Sequence, residues 1–170
     1  MNLKEKIVEI PDFPKKGILF RDISPLLKDP SAFSLVVDEF TKRYHPNEVD
    51  LFAGIESRGF PLACALALRY HKGMIMIRKQ GKLPGATKKI SYDIEYGTAT
   101  MEIQNNVIEK GQRVLICDDL LATGGTAKAA AKLVEKIGGK VTGFAFIIEL
   151  TDLKGAKVIK NYRHESLVKY

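Results

Sequence analysis

Short apolar runs alternate along this chain with stretches whose apolar residues recur at helical spacing. The runs are 49–55 (VDLFAGI), 74–77 (MIMI), 112–117 and 141–150. Mainly apolar segments of this kind suit strands covered on both faces. Between them, Phe33, Val36, Val37 and Phe40 mark the inner face of a helix over 30–44, with Asp29 as its cap and Pro30 in its first position. The segment 58–70 reads as a second helix. It is apolar almost throughout 62–68 and is therefore expected to be buried on most sides. Ala127, Ala130, Ala131, Val134 and Ile137 mark a third helix over 124–137, closed by Gly138-Gly139 as a C-cap. Residues 2–9 suggest a short amphipathic helix. Pro11, Pro14 and Gly17 impose an extended, turning segment over 10–28. Two alternating stretches, 89–94 and 98–103, flank Glu95-Tyr96-Gly97 as a hairpin. The tail 161–170 is polar, with one short hydrophobic stretch.

Strands that alternate with helices predict an α/β fold with a mostly parallel sheet flanked by helices. The 170 residues amount to one domain, and 45% hydrophobic content is enough for a core. No apolar segment approaches the length of a membrane span, and the first residues lack the apolar run of a signal peptide. Cys64 and Cys117 both sit in apolar stretches. Two buried thiols fit a reducing cytoplasm, not a disulfide scaffold. No Cys/His cluster has zinc spacing, and His45, His71 and His164 are isolated. The net charge of +7 is spread along the whole length, without an arm or block. That distribution points to an anionic small molecule and a lysine-rich surface, not to nucleic acid.

The chemistry concentrates in 114–126, VLICDDLLATGGT. A buried strand leads to Asp118 and Asp119, then to the turn Ala122-Thr123-Gly124-Gly125-Thr126, then to a helix. Free N–H groups and the positive helix end suit a phosphate, and the glycines allow close approach. Two carboxylates repel phosphate. They suit the vicinal hydroxyls of a ribose, or a metal bound to them. Neither GxxxxGK[ST] nor GxGxxG occurs. In a parallel sheet, ligands bind beyond the carboxyl ends of the strands. That rule gathers two further loops to the same edge: Gly54-Ile55-Glu56-Ser57-Arg58-Gly59, and Arg78-Lys79-Gln80-Gly81-Lys82-Leu83-Pro84-Gly85.

The 114–126 segment resembles the phosphoribosyl-diphosphate (PRPP) signature of type I phosphoribosyltransferases. FPxxGIxFRDISPLL at 13–27, GIESRGF at 54–60, RKQGKLPG at 78–85, IEYG at 94–97 and IIELTDLKG at 147–155 stand in the same order as in adenine phosphoribosyltransferases. The resemblance covers residue 10 to about 153 and is weak beyond about 157. It implies the three-layer fold of that family, with a hood over about 10–28 and a hairpin lid over about 79–103. It implies transfer of a phosphoribosyl group from PRPP to adenine with Mg²⁺, giving AMP and diphosphate in purine salvage.

By the same resemblance, Asp118 and Asp119 hold the ribose, and Ala122, Thr123, Gly124, Gly125 and Thr126 hold the 5′-phosphate. Glu56, Ser57, Arg58, Arg78, Lys79 and Lys82 surround the diphosphate; Gln80 stands where some relatives carry a cation. Leu19, Phe20, Arg21 and Leu150 form the adenine site. Glu95, with Tyr96 beside it, is the lid residue that manages the adenine N7 proton. Mg²⁺ is expected on substrate oxygens and water. A homodimer is implied, and the apolar excess of the 58–70 helix gives it a physical motive. A non-catalytic PRPP sensor of the same fold would need a DNA-binding module, and residues 1–30 are too short and proline-rich for a helix-turn-helix. Another acceptor base, such as hypoxanthine, guanine or orotate, is the competing reading within enzymes.

Overall fold

The computed structural model describes residues 1–94 and 97–170. Its elements are β1 (Val8–Ile10), β2 (Phe20–Asp22), α1 (Ser24–Lys28), α2 (Pro30–Arg43), β3 (Leu51–Ile55), α3 (Gly59–Tyr70), β4 (Gly73–Lys79) and β5 (Thr87–Ile94). They continue with β6 (Gly97–Gln104), β7 (Arg113–Leu121), α4 (Gly125–Lys136), β8 (Lys140–Glu149), α5 (Gly155–Val158) and β9 (His164–Lys169). The main sheet runs β5-β6-β4-β3-β7-β8-β9, and β1 pairs with β2 in a small separate sheet. From β4 to β9 the pairs are parallel; β6 joins β4 and β5 antiparallel.

The centre of the sheet is apolar because both of its faces are covered. All five residues of β3 are buried. Phe52, Leu115, Cys117 and Ile147 pack against α2 and α3 on one face. Ala53, Ile116 and Phe146 pack against α4 on the other. The result is the expected three layers. Asp29 caps α2 by accepting from the N–H groups of Ser31 and Ala32. The Gly138 and Gly139 N–H groups close α4 on the carbonyls of Glu135 and Val134, as the C-cap reading anticipated.

Four expectations need correction. Residues 2–9 are not a helix: Leu3–Lys6 form one 3-10 turn and β1 follows, because the segment pairs with β2. The polar tail contains β9, a parallel edge strand on β8. Helix α3 is buried at half of its residues but open along one side. Its outward stripe leaves Cys64 exposed and Leu68 73% exposed. Cys64 is therefore not a buried thiol, whereas Cys117 is. Among the described residues no helix is long and apolar enough to cross a membrane.

Candidate active site

Strand β7 does not stop before its acids. It runs on to Leu121, and Asp118 pairs with Phe146 and Leu121 with Glu149 on β8. The acids are thus held by strand hydrogen bonds and not by a loop. Gly124 then turns with φ +86°, where an added Cβ would meet the Gly155 carbonyl oxygen at 2.7 Å. Only glycine tolerates both demands. Helix α4 starts at the next residue, and its first-turn N–H groups have no partner within the helix. The start of α3 also lies against β7: a side chain at Gly59 would strike the Cys117 carbonyl.

These three chain segments surround a cavity of about 270 Å³. It is lined by Glu56, Ser57 and Arg58 from the loop after β3, Lys79 at the end of β4, and Asp118 through Gly124 with Thr126 from β7 and α4. Asp119 is buried, and its N–H donates to Asp118 Oδ1 at 2.9 Å. Arg58 Nε stands 2.9 Å from Asp119 Oδ2, yet that oxygen has no hydrogen bond. Burial, and next the charge of Asp119, push the Asp118 carboxyl well above its ordinary range. Burial also raises Asp119, while Arg58 pulls it back.

Glu56 lines the cavity, but its carboxylate is already engaged. Oε2 accepts the Lys79 N–H at 2.8 Å, and Oε1 lies 3.2 Å from Arg78 Nη2. Burial would raise this group; the Lys79 N–H and Arg78 outweigh burial and hold it below the usual range. Its part is to tie the two cationic loops together. Arg78 and Lys82 stand back from the cavity wall, linked by Arg78 Nη1 donating to the Lys82 carbonyl at 3.2 Å.

The hood residues also lie outside this cavity. Phe20 stacks edge-on with Phe13, and Arg58 carries it toward the acids, its guanidinium 4.6 Å from the Phe20 ring. The Arg21 side chain is committed to Glu9 at 2.7 Å and to the face of Tyr170. Leu19 is 46% exposed. Leu150 is half-buried, its N–H on the Leu121 carbonyl at 2.9 Å. Glu95 and Tyr96 lie outside the described residues.

Five lining residues were missed in the sequence: Tyr92, Leu120, Leu121, Ala127 and Phe146. Tyr92 of β5 reaches over the start of α4 and accepts from Thr126 Oγ1 at 3.4 Å. Its signal was there: it sits at the inward alternation of the 89–94 stretch, between exposed Ser91 and Asp93.

A family model for the phosphoribosyl transferase domain matches residues 27–168. The adenine phosphoribosyltransferase of Nitrosopumilus maritimus is 72% identical over 170 residues, covering 100% of both chains. The chain belongs to the adenine phosphoribosyltransferase family. Its fold agrees. The crystal structure of the adenine phosphoribosyltransferase from Thermoanaerobacter pseudethanolicus superposes with a TM-score of 0.95 at 48% identity, covering 99% of this chain and 98% of that one. The Saccharomyces cerevisiae adenine phosphoribosyltransferase, complexed with an imino-altritol bisphosphate and adenine, gives 0.92 at 39% identity, covering 97% and 96%.

As a member of the adenine phosphoribosyltransferase family, the chain is a transferase. The general phosphoribosyl transferase match begins at residue 27, after most of the hood; the adenine-specific relatives match from the first residue. The same match runs through β9, so the tail that resembled the family weakly belongs to the fold.

Proposed function

We propose that this enzyme transfers the 5-phosphoribosyl group of PRPP to adenine, releasing AMP and diphosphate in purine salvage. Residues 1–170 then act as one phosphoribosyltransferase domain, with the hood over about 10–28 and the lid over about 79–103. The observation that carries the reading is buried Asp119 with half-buried Asp118 next to it, beside an open helix N-terminus, with Arg58 2.9 Å from Asp119. Anion-binding and cation-stabilising groups face one cavity, which is what a phosphorylated sugar with a departing anion requires.

Breaking the C1′–O bond leaves positive charge on the ribose and negative charge on the diphosphate. Catalysis is then positioning and electrostatics. The N–H groups and hydroxyls of Ala122–Thr126 take the 5′-phosphate. Asp119 Oδ2 is buried against Arg58 without a hydrogen bond, so a ribose hydroxyl would take its place beside that oxygen in competition with Arg58, and Asp118 stands next to it. Substrate hydroxyls and the developing cation both favour the ionised pair. Arg58, Ser57 and Lys79 face the diphosphate from the cavity wall, Lys82 adds its charge from behind that wall, and Glu56 and Arg78 fix their loops.

Mg²⁺ fits this site as a substrate-borne ion. Among the described residues no group of three or more His, Cys, Asp or Glu could cage a metal. Diphosphate, ribose oxygens and water would hold it, with Asp118 and Asp119 facing it, as Mg²⁺ prefers few protein carboxylates. When bound, it supplies charge neutralisation to the leaving diphosphate.

Adenine lies against Phe20 and Leu150, with the backbone of Leu19 and Arg21 offering donor and acceptor. Because the Arg21 side chain is held by Glu9 and Tyr170, only its backbone is free for the base. Glu95 takes or holds the N7 proton, with Tyr96 beside it, and the lid excludes water that would hydrolyse PRPP. The enzyme works in the cytoplasm as a homodimer. The deciding experiment supplies PRPP and Mg²⁺ with adenine, hypoxanthine, guanine and orotate in competition. AMP and diphosphate as the dominant products support the reading; preference for another base, or no base-dependent release of diphosphate, overturns it.

A further inference from the structure

Glu102 is an acid on an apolar strand. It is 2% exposed, between buried Met101 and Ile103 on β6. It stands where β6 bridges two strands, opposite Arg78 on β4 and Lys89 on β5. Its carboxylate is filled by donors from the loop that joins them. Oε1 accepts the N–H groups of Gly81 and Leu83, each at 3.1 Å. Oε2 accepts Thr87 Oγ1 at 3.2 Å and has Lys89 Nζ at 3.8 Å. A buried ion is rarely a gain in stability over an apolar side chain of similar size. This one organises a loop that has no apolar core of its own. The strand residue that leads into the loop is fixed from the other side, by the Lys79 N–H on Glu56.

We infer that Glu102 is a positioning residue for the diphosphate half of the reaction, holding the 80–87 loop so that Lys79 lines the cavity for the leaving group and Lys82 stands behind it. The inference rests on the proposed assignment of that loop to diphosphate. Glu102 touches no substrate; it acts through the two N–H groups and the hydroxyl that it accepts. Gly81, with φ +85°, makes the turn that aims its N–H inward. An anion beneath the loop also offsets the repulsion among Arg78, Lys79 and Lys82 before substrate arrives.

The test measures KM for PRPP, KM for adenine and inhibition by inorganic diphosphate with Mg²⁺ in Glu102→Ala, Glu102→Gln and Thr87→Val. Glu102→Ala should weaken PRPP and diphosphate about tenfold while adenine changes less than about twofold. Glu102→Gln should recover most of this, to within about threefold of the parent, because one amide oxygen can still take both N–H groups and its NH₂ can face Thr87 Oγ1. Thr87→Val should shift the same two constants by about threefold, and it carries the test if the alanine variant does not fold. Equal loss for adenine and PRPP, unchanged diphosphate inhibition, or a glutamine variant as poor as alanine each overturn the inference. Lys79→Ala/Lys82→Ala separates it from its premise. If that double variant leaves diphosphate inhibition unchanged, the loop assignment itself falls; if it weakens inhibition and Glu102→Ala does not, only the role of Glu102 falls.

Discussion

Arg58 Nε sits 2.9 Å from Asp119 Oδ2, and the same guanidinium rests 4.6 Å from the Phe20 ring. One cation therefore bridges the acid assigned to the ribose and the ring assigned to the base. Without substrate it partly neutralises Asp119. On the proposed assignments, bound PRPP would bring a diphosphate that competes for the guanidinium and ribose hydroxyls that compete for the carboxylate.

Arg58→Gln removes the charge that opposes the burial of Asp119. The Asp119 carboxyl should then rise further, so the acid limb of kcat/KM for PRPP should move to higher pH. Loss of a charged contact to diphosphate should also lower kcat/KM by about 2 kcal/mol, or about thirtyfold. A pH–rate profile checks both effects. An unmoved acid limb would separate Arg58 from Asp119.

Asp118 makes a prediction about stability with its sign fixed. Its carboxyl is raised above the ordinary 3.8 by burial and then by Asp119. Between that value and the raised one, the folded chain holds a proton that the unfolded chain has released. Stability therefore falls as pH rises through this window and stays lower above it. Asp118→Asn removes the cost and keeps an oxygen for the Asp119 N–H. In urea titrations the variant should unfold at a higher midpoint than the parent at pH 7, with the difference closing below the ordinary value. A lower midpoint at pH 7 would show that the ionised carboxyl is stabilising in the fold.

The hairpin β5–β6 joins β4 through the pairs Arg78↔Glu102 and Lys79↔Met101. Across the cavity it meets α4 through the Thr126–Tyr92 hydrogen bond and Lys136 Nζ on the Lys89 carbonyl at 3.4 Å. No described residue of 79–98 is fully buried, which means a low cost of local opening there. Limited proteolysis should cut first within 79–98, and PRPP with Mg²⁺ should suppress that cut. Equal rates with and without ligand would contradict a lid that closes on substrate.

Leu68 on α3 is 73% exposed and Met76 on β4 41% exposed. Large apolar side chains left open in this way favour a second chain over water. Sedimentation at micromolar concentration should give twice the 18.9 kDa chain mass, and Leu68→Asp should shift the population to single chains. An active species of one chain mass would rule the dimer out.

Much of this was legible in the sequence because the signals were local and redundant. The buried runs at 49–55 and 141–150, the Asp29-Pro30 start and the Gly138-Gly139 stop each specify an element without help from the rest of the chain. The failures arose where distant partners decide. Leu3 and Ile7 have helical spacing, yet pairing with 20–22 makes the neighbouring segment a strand. Strand β9 is an edge strand with a polar alternation, and only β8 reveals it. The sequence run ends at 117, yet β7 continues to Leu121, because β8 runs equally far beside it. At the site, the acids and the glycine turn 122–126 were visible as a motif. The Arg58–Asp119 pair, the occupied carboxylate of Glu56 and the reach of Tyr92 were not, since each joins segments that are far apart in the chain.

The central claim is that Asp118 and Asp119 stabilise a ribose that becomes cationic. The most direct measurement is single-turnover AMP formation by Asp118→Asn and Asp119→Asn, with the Kd for PRPP measured on the same preparations. Each variant should fold, bind PRPP within about tenfold of the parent, and lose about 3 kcal/mol of transition-state stabilisation, about a hundredfold in rate. Two folded variants that turn over at near-parental rates would contradict the claim and return both acids to a structural role.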